Sequence, residues 1–351
     1  MKNIKKRHKV KAPFFYFGGK SRIAKFVWEL LGKDIKRYFE PFAGSLAVLF
    51  ARERDDNTFA KDGASASRFP QSSYNEIVND LDCLLINVWR ALKYASHKVA
   101  LLCCDPSSQL LYWQRVCYII KHKDFLLERM IKDDEYYDIK LAAYWIYCKS
   151  SEIGGVEIDK TDINDIYNSI DNGITRGRIQ LLRSNGIHSK CTHLYNPYSI
   201  TRCKLERLTL WSSQIQSVLE NVKITCMDWK RLFNEGSHWQ DDNGSSNIGI
   251  FFDPPYGDLE RRKSLYRIDS YTVAKEVNDF CVKNAYKKTY RIVIAGYEGE
   301  HNNLENYGYT KYSWKAQGGY GNINKNYKNK NKERLWASKS CDSVCSTLTK
   351  L

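Results

Sequence analysis

The chain has 351 residues, 43% of them hydrophobic, enough for one large core or two unequal domains. A formal net charge of +15 favours a polyanionic partner, nucleic acid being the simplest. Eleven cysteines without a C-x-x-C pair exclude a disulfide framework and fit reduced thiols in the cytoplasm. No apolar run reaches membrane-spanning length, and the basic stretch Lys2 to Lys11 has no apolar segment behind it, so neither a membrane partner nor a secretory signal is expected.

In chain order, the first informative stretch is Tyr16-Phe17-Gly18-Gly19-Lys20-Ser21. Its end looks like a phosphate-binding loop, but that motif needs a glycine where Phe14 stands, so nucleotide-kinase chemistry is excluded. A tight Gly-Gly turn remains, with Lys20 entering a helix whose buried face is Ile23, Phe26, Val27 and Leu30. Tyr38-Phe39-Glu40-Pro41-Phe42-Ala43-Gly44-Ser45 then reads as strand and small-residue turn, leading into a helix through Leu46, Val48, Leu49 and Phe50. The turn leaves room for a cofactor, but G-x-G-x-x-G is missing, which disfavours a dinucleotide.

Arg52 to Ser73 is polar and is expected to be a flexible insertion. Tyr74 to Asp80 reads as a second strand ending in an acid, placed either to hold a ribose diol or to cap the helix at Leu81 to Leu92. From about residue 96 to 212 amphipathic helices dominate, among them Leu110 to Ile120 and Ile139 to Tyr147, followed by a basic, loop-rich part. Its Arg176, Arg178, Arg183 and Lys190 are candidate phosphate contacts, with solvated surface as the plain alternative. His188, Cys191 and His193 lack metal-ligand spacing, and no metal site is expected. Leu205 to Leu219 reads as a helix, and Val222 to Trp229 as a strand whose Asp228 either accepts from a cofactor amine or caps the next turn.

Asn247 to Phe252 has the composition of a buried parallel strand, stopped at once by Asp253-Pro254-Pro255-Tyr256. These residue types suit one chemistry. An exocyclic amine on a base is a poor nucleophile because its lone pair is delocalised into the ring. Asp253 can accept one amine hydrogen and the Pro254 carbonyl the other, which favours a pyramidal nitrogen. The two prolines fix the backbone there, and Tyr256 offers a face for an extruded base. Arg261, Arg262, Lys263 and Arg267 follow in a loop suited to embrace DNA. Arg291 to Tyr297 and Glu333 to Ser338 read as further strands, with a Gly-, Asn- and Lys-rich stretch, Trp314 to Lys332, between them.

In this order the motifs resemble those of the Dam-like, alpha-group adenine-N6 DNA methyltransferases often encoded by phages and prophages. The likeness rests on Tyr16 to Lys20, Glu40 to Gly44, Asn79-Asp80, Asp228 and Asp253 to Tyr256, with Gly296 to Glu300 and Glu333 to Trp336 matching later strands of a phage-type branch. It implies an α/β fold, a Rossmann-like sheet using S-adenosyl-L-methionine and acting on double-stranded DNA. It further implies that residues 1–95 and 213–351 form the methyltransferase domain and residues 96–212 an inserted, mainly helical target-recognition part. A monomer is the default. Tyr16, Phe17, Gly18, Gly19, Lys20, Glu40, Pro41, Phe42, Gly44, Asp80, Asp228 and Asp253 would line the cofactor site, and Asp253, Pro254, Pro255 and Tyr256 would carry catalysis. Leu46 stands where the family's loop often has a second glycine, a departure expected to narrow the cofactor pocket. Cytosine N4, RNA adenine, a protein amide, or a DNA-binding relative without turnover are the alternatives.

Overall fold

The computed structural model describes residues 10, 12–14, 16, 18–54, 75–103, 105, 109–151, 202–234, 247–256, 272–313 and 333–342. Among these residues seven strands form one sheet: β1 (Arg37–Glu40), β2 (Asn75–Asn79), β3 (Val222–Thr225), β4 (Ile248–Phe252), β5 (Tyr290–Tyr297), β6 (Thr310–Ser313) and β7 (Glu333–Ala337). Their spatial order is β3-β2-β1-β4-β5-β7-β6. The first five are parallel, and β7 runs antiparallel to both β5 and β6.

β4 and the middle of β5 are apolar almost without interruption because both faces are covered. Side chains alternate between two cores. Tyr38, Val78, Phe251, Val293 and Leu335 face one, while Phe39, Ile77, Phe252, Ile294 and Trp336 face the other. The first face is packed by α1 (Ala24–Leu31), α2 (Ala47–Phe50) and α3 (Cys83–Cys103), with α4 (Gln109–Lys132), α5 (Ile139–Ser151) and α6 (Arg202–Leu219) beyond. The second face is closed by α7 (Val273–Lys283) and two short 3-10 turns, Trp229–Phe233 and Asn302–Tyr307. A last short helix, α8 (Lys339–Asp342), follows β7. None of the described helices is long and apolar enough to cross a membrane.

The expected Rossmann-like sheet is the one observed, with three differences in detail. The strand read over Val222 to Trp229 stops at Thr225, because Asp228 turns its side chain onto the backbone N–H of Lys230 and starts a 3-10 helix (2.9 Å). Arg52, read into a flexible insertion, is buried. Its guanidinium pairs with Glu76 (2.9 Å) and donates to the Ile35 carbonyl (2.6 Å), since an arginine removed from water keeps its place only by filling its donors. Most of that insertion, residues 55–73, lies outside the described residues, as do Tyr74, read as the start of the second strand, and 314–332. The helix read at Leu81 to Leu92 begins at Cys83 and runs to Cys103, with a non-helical break at Ala95.

Chain direction reverses its order across the sheet between β1 and β4: β2 and β3 build to one side of β1, β4 and β5 to the other. Such a switch point leaves a crevice outside the carboxyl ends of the two central strands. Glu40 ends β1 and Asp253 follows β4, so the two strongest motifs meet there.

Candidate active site

A single hollow at the switch point is lined from both halves of the chain. The Gly44 turn, Asp80 and Asp228 form one wall; Lys20, Asp253 and Pro255 form the other. Tyr16, Gly18, Gly19, Glu40, Pro41 and Phe42 also line it. Pro254 and Tyr256 are buried beside it. Phe17, Arg176, Arg178, Arg183, Lys190, Arg261, Arg262, Lys263 and Arg267 lie outside the described residues.

The β1 side is built around two polar side chains. Asn79, buried at the end of β2, donates to the carbonyls of Pro41 (3.1 Å) and Met227 (2.9 Å). Its oxygen accepts from the Met227 N–H (3.1 Å) and the Thr225 hydroxyl (2.9 Å). One amide thus ties together the tips of β1, β2 and β3. Asp80 accepts from the Gly44 N–H (3.3 Å) and the Asp82 N–H (3.0 Å). It does not cap α3; Asp82 does, accepting from Leu84 (2.9 Å) and Leu85 (3.3 Å). Asp228 caps the following 3-10 turn through one oxygen and still lines the hollow.

Gly44 has φ +46, and a Cβ there would meet the Tyr16 ring at 3.2 Å. Only glycine takes that backbone without cost while letting the ring lie over the turn. Two residues on, Leu46 is also left-handed, φ 52 and ψ 28. Its side chain is fully buried in the core and is absent from the lining of the hollow. The departure therefore strains the backbone and does not narrow the pocket. Leu46→Gly relieves about 1–2 kcal/mol of left-handed strain but gives up a buried leucine worth about 2–5 kcal/mol. The expected result is a net loss of about 2 kcal/mol in denaturant unfolding with ligand affinity unchanged.

Glu40 points into the first core. Its carboxyl accepts from the Tyr38 hydroxyl (3.0 Å) and the Leu49 N–H (3.2 Å) at the end of α2. Burial pushes its pKa up to about 8 from 4.5, against the pull of those two bonds. Folding therefore takes up a proton between these values. The stability it contributes is complete below pH 4.5 and is lost as pH rises through about 8. Glu40→Gln, a neutral isostere, should flatten the fall in unfolding free energy between pH 5 and 8.5; an unchanged pH slope would contradict this assignment.

On the opposite wall Lys20 is almost fully buried. It donates to the Gly18 carbonyl (2.7 Å), pairs with Asp253 (2.9 Å) and lies 5.2 Å from the Tyr256 ring centroid. The Tyr256 hydroxyl donates to the same Asp253 oxygen at 3.4 Å. Burial raises the Asp253 carboxyl above its usual range, and Lys20 and Tyr256 pull it back. The Tyr256 ring meets Tyr297 edge-on, 4.5 Å between centroids.

Sequence reasoning found most of these positions but missed several. Glu276 and Val273 of α7 line the hollow, and Glu276 pairs with Lys230 (3.0 Å). Their helix lacked a motif to draw attention to it. Asn79 was read only as a neighbour of Asp80, although a polar residue directly after the buried pair Ile77-Val78 is a signal that it is bonded.

The arrangement suits a ligand with an apolar body, hydroxyls and an amine on one side, facing a paired carboxylate on the other. The family model described as D12 class N6 adenine-specific DNA methyltransferase matches residues 16–323. No curated protein matches the chain.

Proposed function

The chain belongs to the D12 class N6 adenine-specific DNA methyltransferases, and from that membership we propose the chemistry of its hollow. S-adenosyl-L-methionine, when bound, supplies an activated methyl carbon that the target amine takes by direct in-line displacement, without a covalent enzyme intermediate. The acids of the β1 wall fit this cofactor: Asp80 would hold ribose hydroxyls and Asp228 the adenine amine, with the Gly44 turn and the Tyr16 ring against its body. The target adenine is flipped out of the duplex. Asp253 and the Pro254 carbonyl accept the two amine hydrogens and turn the nitrogen lone pair toward the cofactor wall. Tyr256 stacks on the base. Catalysis is then chiefly positioning.

Residues 96–212 would recognise the target, and the arginines and lysines at 176, 178, 183, 190, 261, 262, 263 and 267 would touch phosphates. Location in the cytoplasm of a bacterial host, in a phage or prophage setting, follows the same reading.

One observation carries the proposal: the Gly44 turn and Asp253, 209 residues apart in sequence, line one hollow at the switch point. Purified protein, methyl-labelled S-adenosyl-L-methionine and unmodified duplex DNA test it. Nucleoside mass spectrometry should find the label on N6 of adenine. Label on cytosine N4, or transfer to RNA alone, would overturn it.

A further inference from the structure

Glu333 opens β7 and has no part in the chemistry described so far. Its Oε2 is buried and has no hydrogen-bond partner among the described residues. A buried carboxylate oxygen left unpaired is costly, so its retention asks for a role in another state of the molecule. Its location points to that role. Glu333 is directly opposite Tyr297 in the antiparallel register, which puts both side chains on one sheet face. Tyr297 in turn packs against Tyr256 of the tetrad. Burial chiefly holds the Glu333 carboxyl above its usual range. The Lys20 charge pulls it down and the Asp253 charge pushes it up, so it lies within electrostatic reach of both.

Lys20 has one carboxylate partner within ion-pair distance among the described residues, Asp253. The same Asp253 oxygen also accepts from Tyr256. An incoming amine adds a further donor to this carboxylate. During transfer the amine lone pair forms the new N–C bond, the pair of the breaking C–S bond stays on sulfur, and one N–H proton must leave. If Asp253 receives it, Asp253 becomes neutral and the ammonium of Lys20, almost fully buried, loses its counter-ion, a heavy penalty.

We propose that Glu333 is a positioning residue, the second counter-ion of Lys20, which takes up the ammonium when Asp253 engages the target amine and its proton. Lys20 is thereby shared between two carboxylates, one within the tetrad and one at the start of β7. The assignment rests on the methyl-transfer reading above.

Glu333→Gln and Glu333→Asp test it, measured beside the unaltered protein in single-turnover transfer to duplex DNA, by calorimetric titration with S-adenosyl-L-methionine, and by thermal melting without ligands. The glutamine variant should transfer at least about tenfold more slowly, with KM for DNA little changed. Its cofactor affinity and melting temperature should not fall, because the Glu333 Oε2 has no hydrogen bond among the described residues to lose. The aspartate variant should recover part of the rate. Full-rate transfer by the glutamine variant, or a slowing matched by lost cofactor affinity or lost stability, overturns the role of Glu333 alone. Absence of transfer by the unaltered protein overturns the methyl-transfer reading and this inference with it.

Discussion

Asp253→Asn should reduce single-turnover methyl transfer by about 10²–10³-fold, the size of effect that follows removal of one preorganised polar contact at a reacting centre. The change is small in volume and keeps an oxygen that can accept from Lys20, although the buried ammonium loses its charged partner. What disappears is the negative charge, and one acceptor becomes an NH2 that meets the target amine donor to donor. DNA binding should persist, because the charge removed is negative and the partner is a polyanion. The measurement is quench-flow transfer alongside filter binding to the same duplex. Transfer within threefold of the unaltered rate would show that Asp253 does not orient the amine.

The second large effect is expected on the other wall. Asp80 accepts from the Gly44 N–H and the Asp82 N–H, and on the proposed reading also from ribose hydroxyls. Asp80→Ala removes all of these at once. Hydrogen bonds to a charged group contribute about 1.5–3 kcal/mol each. The affinity for S-adenosyl-L-methionine should fall by about 10²-fold in calorimetric titration. The Gly44 turn should loosen as well, seen as faster hydrogen exchange at its amide. Asp80→Asn, which retains one acceptor, should lie between. Equal affinity in the unaltered and alanine proteins would remove Asp80 from the cofactor site.

Much of this architecture could be read from the chain because its strongest signals are local. Ile248 to Phe252 is an unbroken apolar run ended by two prolines, and only a buried strand accounts for both. The Gly44 turn and α1 were legible for the same reason, from a small residue and a helical stripe. What failed to show depends on partners far away in sequence. Thr310–Ser313 is a short edge strand with Tyr312 as its one buried residue, too little pattern to distinguish it from loop. Asp228 could be read as the cap of the next turn, but nothing local shows that the strand has already ended at Thr225. Glu333 reads as an ordinary strand residue until register places it opposite Tyr297. Leu46 is the reverse case. Its identity suggested a crowded pocket, but the left-handed backbone turns the side chain into the core.

The amide of Asn79 has a further consequence. Both of its carbonyl contacts and both of its donors' targets belong to the frame, so no valence is left over for a guest. Three strand tips are locked into their spacing before anything arrives. A small molecule entering this side meets a mould already set and surrenders little affinity to ordering it. Whatever adaptation accompanies the arrival of a nucleobase therefore falls to the opposite rim, where ionic attraction and ring contacts, softer than a hydrogen-bonded lattice, do the holding.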